Sequence, residues 1–156
     1  MSRLLGAKLP DRLFEILKGE DITPHLGKVV LLVTVDSQGF PHPAMLSLGE
    51  VAAKDKENIR LATYKGSTTS KNLRERGKVA MVFAEEGMTY YVKGEVTQLE
   101  EALPDLPSLS SFNLKVAQVI EDTEPQAPII SGIRFQLPEG QDLAAEARKV
   151  LPAILR

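Results

Sequence analysis

The sequence predicts a mainly β protein: a six-stranded antiparallel sheet closed into a barrel, with helices packed outside it. Three observations carry this. Val29 to Val35 is a β-branched, almost wholly apolar run bounded by the turn Asp36-Ser37-Gln38-Gly39. Thr89 to Leu99 alternates, with Tyr90, Val92 and Val96 on one face and Thr89, Tyr91, Lys93, Glu95 and Thr97 on the other. The strand-like runs also follow one another mostly through short turns, whereas a parallel sheet needs a long crossover between neighbours.

Taken in order, Pro10 to Lys18 predicts a short helix with Leu13, Ile16 and Leu17 on one side and Gly19 as its stop. Lys28 to Val35 is a buried strand, and His42 to Val51 returns antiparallel to it. Lys54 to Asn58 is a polar turn leading to a third strand, Ile59 to Tyr64. A helix follows and ends at Gly77, with Arg74 and Arg76 in the last turn, where cations suit the dipole. Val79 to Ala84 and Thr89 to Leu99 are the next two strands, and Gly94 marks a bulge or the close approach of another backbone. Phe112, Val116, Val119 and Ile120 follow helical spacing, while Ile129, Ile133, Phe135 and Leu137 alternate as a sixth strand. Leu143 to Leu155 carries an apolar stripe and predicts a final helix, kinked by Pro152. The expected organisation is one domain over 156 residues: a helical lead-in over 1–27, a core barrel over 28–99, and a helix, last strand and C-terminal helix over 100–156.

Composition narrows the chemistry. With 19 basic and 21 acidic residues, bulk charge points to neither nucleic acid nor an acidic membrane surface. The absence of cysteine removes disulfides, thiolate metal sites and thiol nucleophiles. The N-terminal stretch becomes charged too early for a signal peptide, so a cytosolic address is expected. The two histidines, His25 and His42, each stand beside a proline and far apart, which predicts no metal site. No G-x-S-x-G elbow, Walker loop or G-x-G-x-x-G follows a strand. With no evident acid, base or nucleophile of its own, any catalysis here calls for a cofactor.

One segment points to such a ligand. Ser67, Thr68, Thr69 and Ser70 are four consecutive hydroxyl residues at a helix start, followed by Lys71. The first N–H groups of a helix have no internal partners and sit at the positive end of its dipole, yet no acidic residue precedes Glu75. Such an end suits a foreign anion such as phosphate. Hydroxyls are equally what a plain helix cap uses, so composition alone leaves both readings standing.

The runs TVDSQGFPHPAML (Thr34 to Leu46) and IRLATYKGSTTSKNLRERGKVAMVF (Ile59 to Phe83) resemble the pyridoxamine 5′-phosphate oxidase-like, FMN-binding split-barrel family. The shared pieces are a strand ending T-V-D, a turn with Gly, a Pro-flanked return strand, a strand ending in Thr63, and the G-S-x-T-x-x-N-L helix start. The resemblance covers roughly Val29 to Leu99. It implies a homodimer of six-stranded split barrels with FMN at the subunit interface. By that resemblance Ser67, Thr68, Thr69 and Lys71 bind the FMN phosphate, with Asn72 in the same motif. Thr63 and Tyr64 lie along the ribityl chain or ring, and Met45, Leu46 and Ser47 border the isoalloxazine. Ala44, Gly49, Thr68 and Thr69 stand where relatives that oxidise pyridoxamine phosphate carry basic residues, so the resemblance extends to the family and not to that enzyme. It implies a flavin oxidoreductase of unassigned substrate. The rival on the same fold is a flavin- or haem-binding carrier or sensor without turnover.

Overall fold

The computed structural model of the protein describes residues 1–156. Eight strands and three α-helices make it up: β1 (Ser2–Gly6), α1 (Asp11–Leu17), β2 (Val29–Val35), β3 (Pro41–Ser47), β4 (Val51–Ala53), β5 (Asn58–Tyr64), α2 (Thr68–Arg76), β6 (Lys78–Glu85), β7 (Met88–Glu100), β8 (Leu109–Asp122) and α3 (Leu143–Leu155). All strand pairs are antiparallel, and the sheet runs in the order β3-β2-β6-β7-β8-β5-β4, with β1 on the far part of β8. It curls as a half-barrel of the split-barrel type around 33 buried apolar residues, among them Leu32, Leu61, Met81, Phe83, Phe112 and Leu114. No helix is long and apolar enough to cross a membrane.

Several expected elements stand where the sequence places them. At the β2–β3 turn the Asp36 carboxylate accepts the N–H groups of Gln38 and Phe40, both at 2.9 Å. On β7, Tyr90, Val92 and Val96 are buried while Lys93, Glu95 and Thr97 face out. α2 ends at Gly77, whose φ of 64° is a left-handed cap that a side chain would strain.

The strand count is eight rather than six, for three separate reasons. Ser2–Gly6 pairs with β8 through residues that are mostly exposed, so it lacks the apolar signal of a strand. The return strand expected over His42 to Val51 is broken at Leu48–Glu50, and its tail becomes β4 on the opposite edge of the sheet. The helix expected around Phe112 to Ile120 is the strand β8. There Phe112, Leu114 and Val116 are buried in alternation until the register with β7 slips beside Gly94, after which the buried parity passes to Val119. That slip produces the spacing of three between Val116 and Val119 that imitates a helix. Conversely, the strand expected over Ile129 to Leu137 is an extended strap outside the ladder. It is pinned at Gly87 N–H to Ile129 O, Val29 N–H to Ile133 O and Phe135 N–H to Gly27 O.

α3 lies against β4 and β5 through Ala147, Val150, Leu151, Ala153 and Ile154. Its end is held by the Arg60 guanidinium, which donates to the carbonyls of Ile154 (3.1 Å) and Arg156 (3.0 Å) and to Asn113 Oδ1 (2.9 Å). The tail thus rests on the same sheet as the core.

A side chain at position 94 would meet the Lys115 carbonyl oxygen at 2.3 Å and a Leu114 methyl at 2.6 Å. Gly94→Ala is expected to cost about 2 kcal/mol or more, read as a lower midpoint in urea unfolding at unchanged slope.

Candidate functional site

The chain leaving β5 and entering α2 forms one hydrogen-bonded joint. Ser70 is fully buried, with its hydroxyl 2.5 Å from Thr63 Oγ1 and donating to the Tyr64 carbonyl at 2.6 Å. That same carbonyl accepts the Ser67 N–H at 3.0 Å. Ser67 caps the helix by accepting the Ser70 N–H at 3.1 Å. One turn later the buried Asn72 amide donates to Thr34 Oγ1 at 3.0 Å, tying α2 to β2. The hydroxyls read as an anion cradle are therefore divided. Ser67, Ser70 and Thr63 hold the joint, Thr69 is buried, and Thr68 alone of the run faces solvent.

A helix end with the features of an anion site nevertheless remains. The N–H groups of Thr68 and Thr69 make no internal hydrogen bond, and the first turn carries no acidic residue. Lys71 is exposed and makes no ion pair, whereas Lys65 is paired with Glu101 at 3.3 Å. The positive end of the dipole and one free ammonium face the same solvent.

On the other side of Tyr64 lies a cavity of about 770 Å³. Met45, Leu46 and Ser47 from β3 and the Tyr64 side chain form one wall. The opposite wall comes from the strap and α3, through Phe135, Leu143, Ala147 and Val150. The volume is of the size that holds a cofactor ring system, and most of the lining is apolar. Met45 and Tyr64 are 65 % and 66 % exposed, so the cavity mouth carries large apolar surface open to a neighbour.

Polar groups reach this cavity at few points. Glu50, in the turn after β3, accepts the Ser47 N–H (2.8 Å) and hydroxyl (3.3 Å), both on Oε2. Its other oxygen has no protein partner. Burial lifts the Glu50 carboxyl above its ordinary value, against the opposing pull of the two Ser47 bonds. His25 also lines the cavity, and its Nδ1 accepts from Lys28 Nζ at 3.1 Å. Lys28 is in turn paired with Glu85 at 2.6 Å. Burial, then the neighbouring Lys28 charge, push the His25 imidazole below its usual value, so it is neutral near pH 7.

Of the residues singled out from sequence, the structure brings Met45, Leu46, Ser47 and Tyr64 to the cavity and Ser67, Thr68 and Lys71 to the α2 start. Thr63, Thr69 and Asn72 stand behind that start, within the protein. Tyr64 joins the two places, its carbonyl in the joint and its ring in the cavity. Sequence reasoning missed Glu50, because it falls within the return strand expected over His42 to Val51 and belongs to no motif. It also missed the α3 wall, whose stripe signals only a packed helix.

The pyridoxamine 5′-phosphate oxidase family matches residues 25–136, from the lead into β2 through the strap. The chain is also 32 % identical over 148 residues to the uncharacterized protein YclD of Bacillus subtilis (strain 168), covering 95 % of this chain and 96 % of that one. Among solved structures, it resembles a candidate pyridoxamine 5′-phosphate oxidase of Lactobacillus delbrueckii, at TM-score 0.61 and 20 % identity over 76 % of this chain and 98 % of that chain. An FMN-binding protein of Syntrophomonas wolfei is similar at TM-score 0.54 and 17 % identity, over 72 % and 88 % of the two chains. The class defined by fold and sequence is the split barrel, and the chain belongs to the pyridoxamine 5′-phosphate oxidase-like family.

Because folding raises the Glu50 proton affinity, its contribution to stability is fully present below the unfolded carboxyl value and is lost as pH rises through the folded one. Glu50→Gln cannot lose that proton and keeps an oxygen for Ser47. It is expected to melt above the wild type at neutral pH, with the gap closing towards about pH 4 in thermal scans.

Proposed function

We propose that this chain binds FMN and acts as a flavin oxidoreductase, working as a cytosolic homodimer. The observation that carries the reading is the pairing of two complementary places across Tyr64. One is a helix start with free N–H groups and no carboxylate, and the other is an apolar cavity of ring-system size. The phosphate is taken by the Thr68 and Thr69 N–H groups, the Thr68 hydroxyl and Lys71. Thr63 and Asn72 act from behind, fixing the helix start against β5 and β2. Met45, Leu46, Ser47 and Tyr64 border the ring. FMN, once bound, supplies the hydride and electron chemistry, while the chain orients it and keeps water from its buried face. Membership of the family and likeness to an FMN-binding protein support this reading.

A second copy of the chain is the natural cover for the exposed Met45 and Tyr64 side chains at the cavity mouth. The dimer reading expects twice the 17.1 kDa chain mass in light scattering, and a monomer at micromolar concentration would refute it.

Purified protein is expected to be yellow, or to quench added FMN fluorescence. Reduced nicotinamide added to the loaded protein should bleach the flavin; persistent colour would assign a carrier instead. Thr68→Glu puts a like charge against the phosphate and should weaken FMN on the order of a hundredfold. The same carboxylate suits the helix dipole, so the variant should melt no lower than the wild type. Unchanged FMN affinity in this variant would place the phosphate elsewhere.

A further inference from the structure

The polar lining of the cavity is uneven, and one group stands out. Glu50 is mostly buried, faces the cavity and has one carboxylate oxygen fully engaged by Ser47. The engaged oxygen is Oε2, which fixes the side chain and leaves Oε1 without a protein donor. Oε1 stays open to the cavity solvent, so a ligand donor seated there replaces water on a carboxylate already fixed in place. The other ionisable groups around the cavity do not fill that role. His25 makes no hydrogen bond to Glu50, and its Nδ1 is occupied by Lys28, which itself holds Glu85. Tyr64 comes from β5, while Glu146 and Lys149 come from α3, and none of the three hydrogen-bonds Glu50. Much of the surrounding lining is apolar, including Leu46, Leu48 and Val150, so a hydrogen bond to Oε1 gains strength once a ligand displaces the solvent there.

We propose that Glu50 is the polar anchor of the cavity, its free oxygen accepting a hydrogen bond from a ring N–H of the bound ligand. This rests on the flavin reading above, and in FMN the donor is the imide N–H of the pyrimidine edge. The anchor sets the orientation of the ring: the edge bearing the N–H turns to the β3–β4 turn, and the apolar xylene edge turns away from it. It also gives the cavity a selectivity, since a ring of the same size that presents only acceptors at that edge leaves a carboxylate facing lone pairs.

The choice of variant follows from the Ser47 clamp. In Glu50→Gln the amide oxygen is required by the Ser47 N–H, so the NH2 group turns to the cavity and meets the ligand's N–H donor to donor. A charge-assisted bond is lost and a repulsion gained, so FMN affinity should fall roughly tenfold or more. The readout is the dissociation constant from quenching of flavin fluorescence, with no turnover involved. Wild type is expected to bind FMN less tightly as the pH falls through the titration of Glu50, because Ser47 holds Oε2 as an acceptor and the proton on Oε1 then meets the ligand's N–H donor to donor. Glu50→Gln should lack that step. FMN methylated on the imide nitrogen, which has no N–H to give, should bind wild type at least as weakly as FMN binds the variant. The variant should discriminate little between the two flavins, as coupling between the two groups requires. Ser47→Ala removes one bond that favours the carboxylate and should move the binding step to higher pH.

The outcomes separate. If wild type quenches no FMN, the flavin reading falls and the anchor with it. If wild type binds FMN and Glu50→Gln binds it equally well, the anchor alone is refuted. Equal binding of both flavins by wild type, or a pH step that Ser47→Ala leaves in place, refutes it as well. The latter would assign the step to a group other than Glu50, the FMN phosphate included.

Discussion

The structure depends on how one long antiparallel pair bends. β7 and β8 are 13 and 14 residues long and form the middle of the sheet, so a straight ladder here would leave the core open on one side. The register slip beside Gly94 adds a residue to β8 and increases the local bend and twist. It is possible only because the β7 backbone comes within reach of the Lys115 carbonyl where no side chain intervenes. Everything that curls around the 33-residue apolar core, including β5 on one side and β6 on the other, follows from that bend. The site stands at the end of β5, and its position is inherited from the same curvature.

The second constraint is the joint at Ser70. A buried hydroxyl must find partners, and Ser70 finds Thr63 Oγ1 and the Tyr64 carbonyl. Those bonds fix the direction in which α2 leaves β5, and with it the aim of the free Thr68 and Thr69 N–H groups. Hydroxyls that cannot themselves reach a ligand thus decide where the helix dipole points. Asn72 does the same from the other side by donating to Thr34. A residue pattern shared with a family can therefore be partly scaffold: of the ten positions expected to bind cofactor, Thr63 and Asn72 are buried behind the helix start, and the buried Thr69 presents only its backbone N–H.

Much of this was legible in the chain. β2, β5, α2, β6, β7 and α3 are continuous patterns in which local propensity and burial agree, and local agreement is what periodicity reads. The failures have one physical origin, which is that they depend on a partner distant in sequence. The parity change in β8 is imposed by Gly94 on another strand and turns a strand's alternation into a helix-like spacing. The strap alternates like a strand but is given no full ladder, only three separate backbone bonds. Glu50 reads as one more residue of the return strand, and its place on a cavity appears only once α3, about a hundred residues later, supplies part of the lining. The helix start without carboxylates was visible because it is a local fact, while the cavity beside it was not.

Charge distribution makes the division of labour between these two places sharper. Near the α2 start Lys65 is paired with Glu101 and Ser67 is spent on capping, so an anion meets backbone N–H groups, one hydroxyl and Lys71. Exposed attractions of this kind are screened by salt within a Debye length of about 8 Å at physiological ionic strength. Inside the cavity Glu50 stands half-buried among largely apolar neighbours, where burial raises its proton affinity and one hydrogen bond counts for more than at the exposed end. The exposed end thus supplies attraction for any phosphate, with little means of telling one from another. Discrimination between ligands falls to the enclosed end, where the walls come from segments on both sides of the core and the idle carboxylate oxygen faces inward. On the proposed flavin reading, a helix start with one free ammonium and a cavity holding a clamped carboxylate put the weight of recognition on the ring rather than on the phosphate.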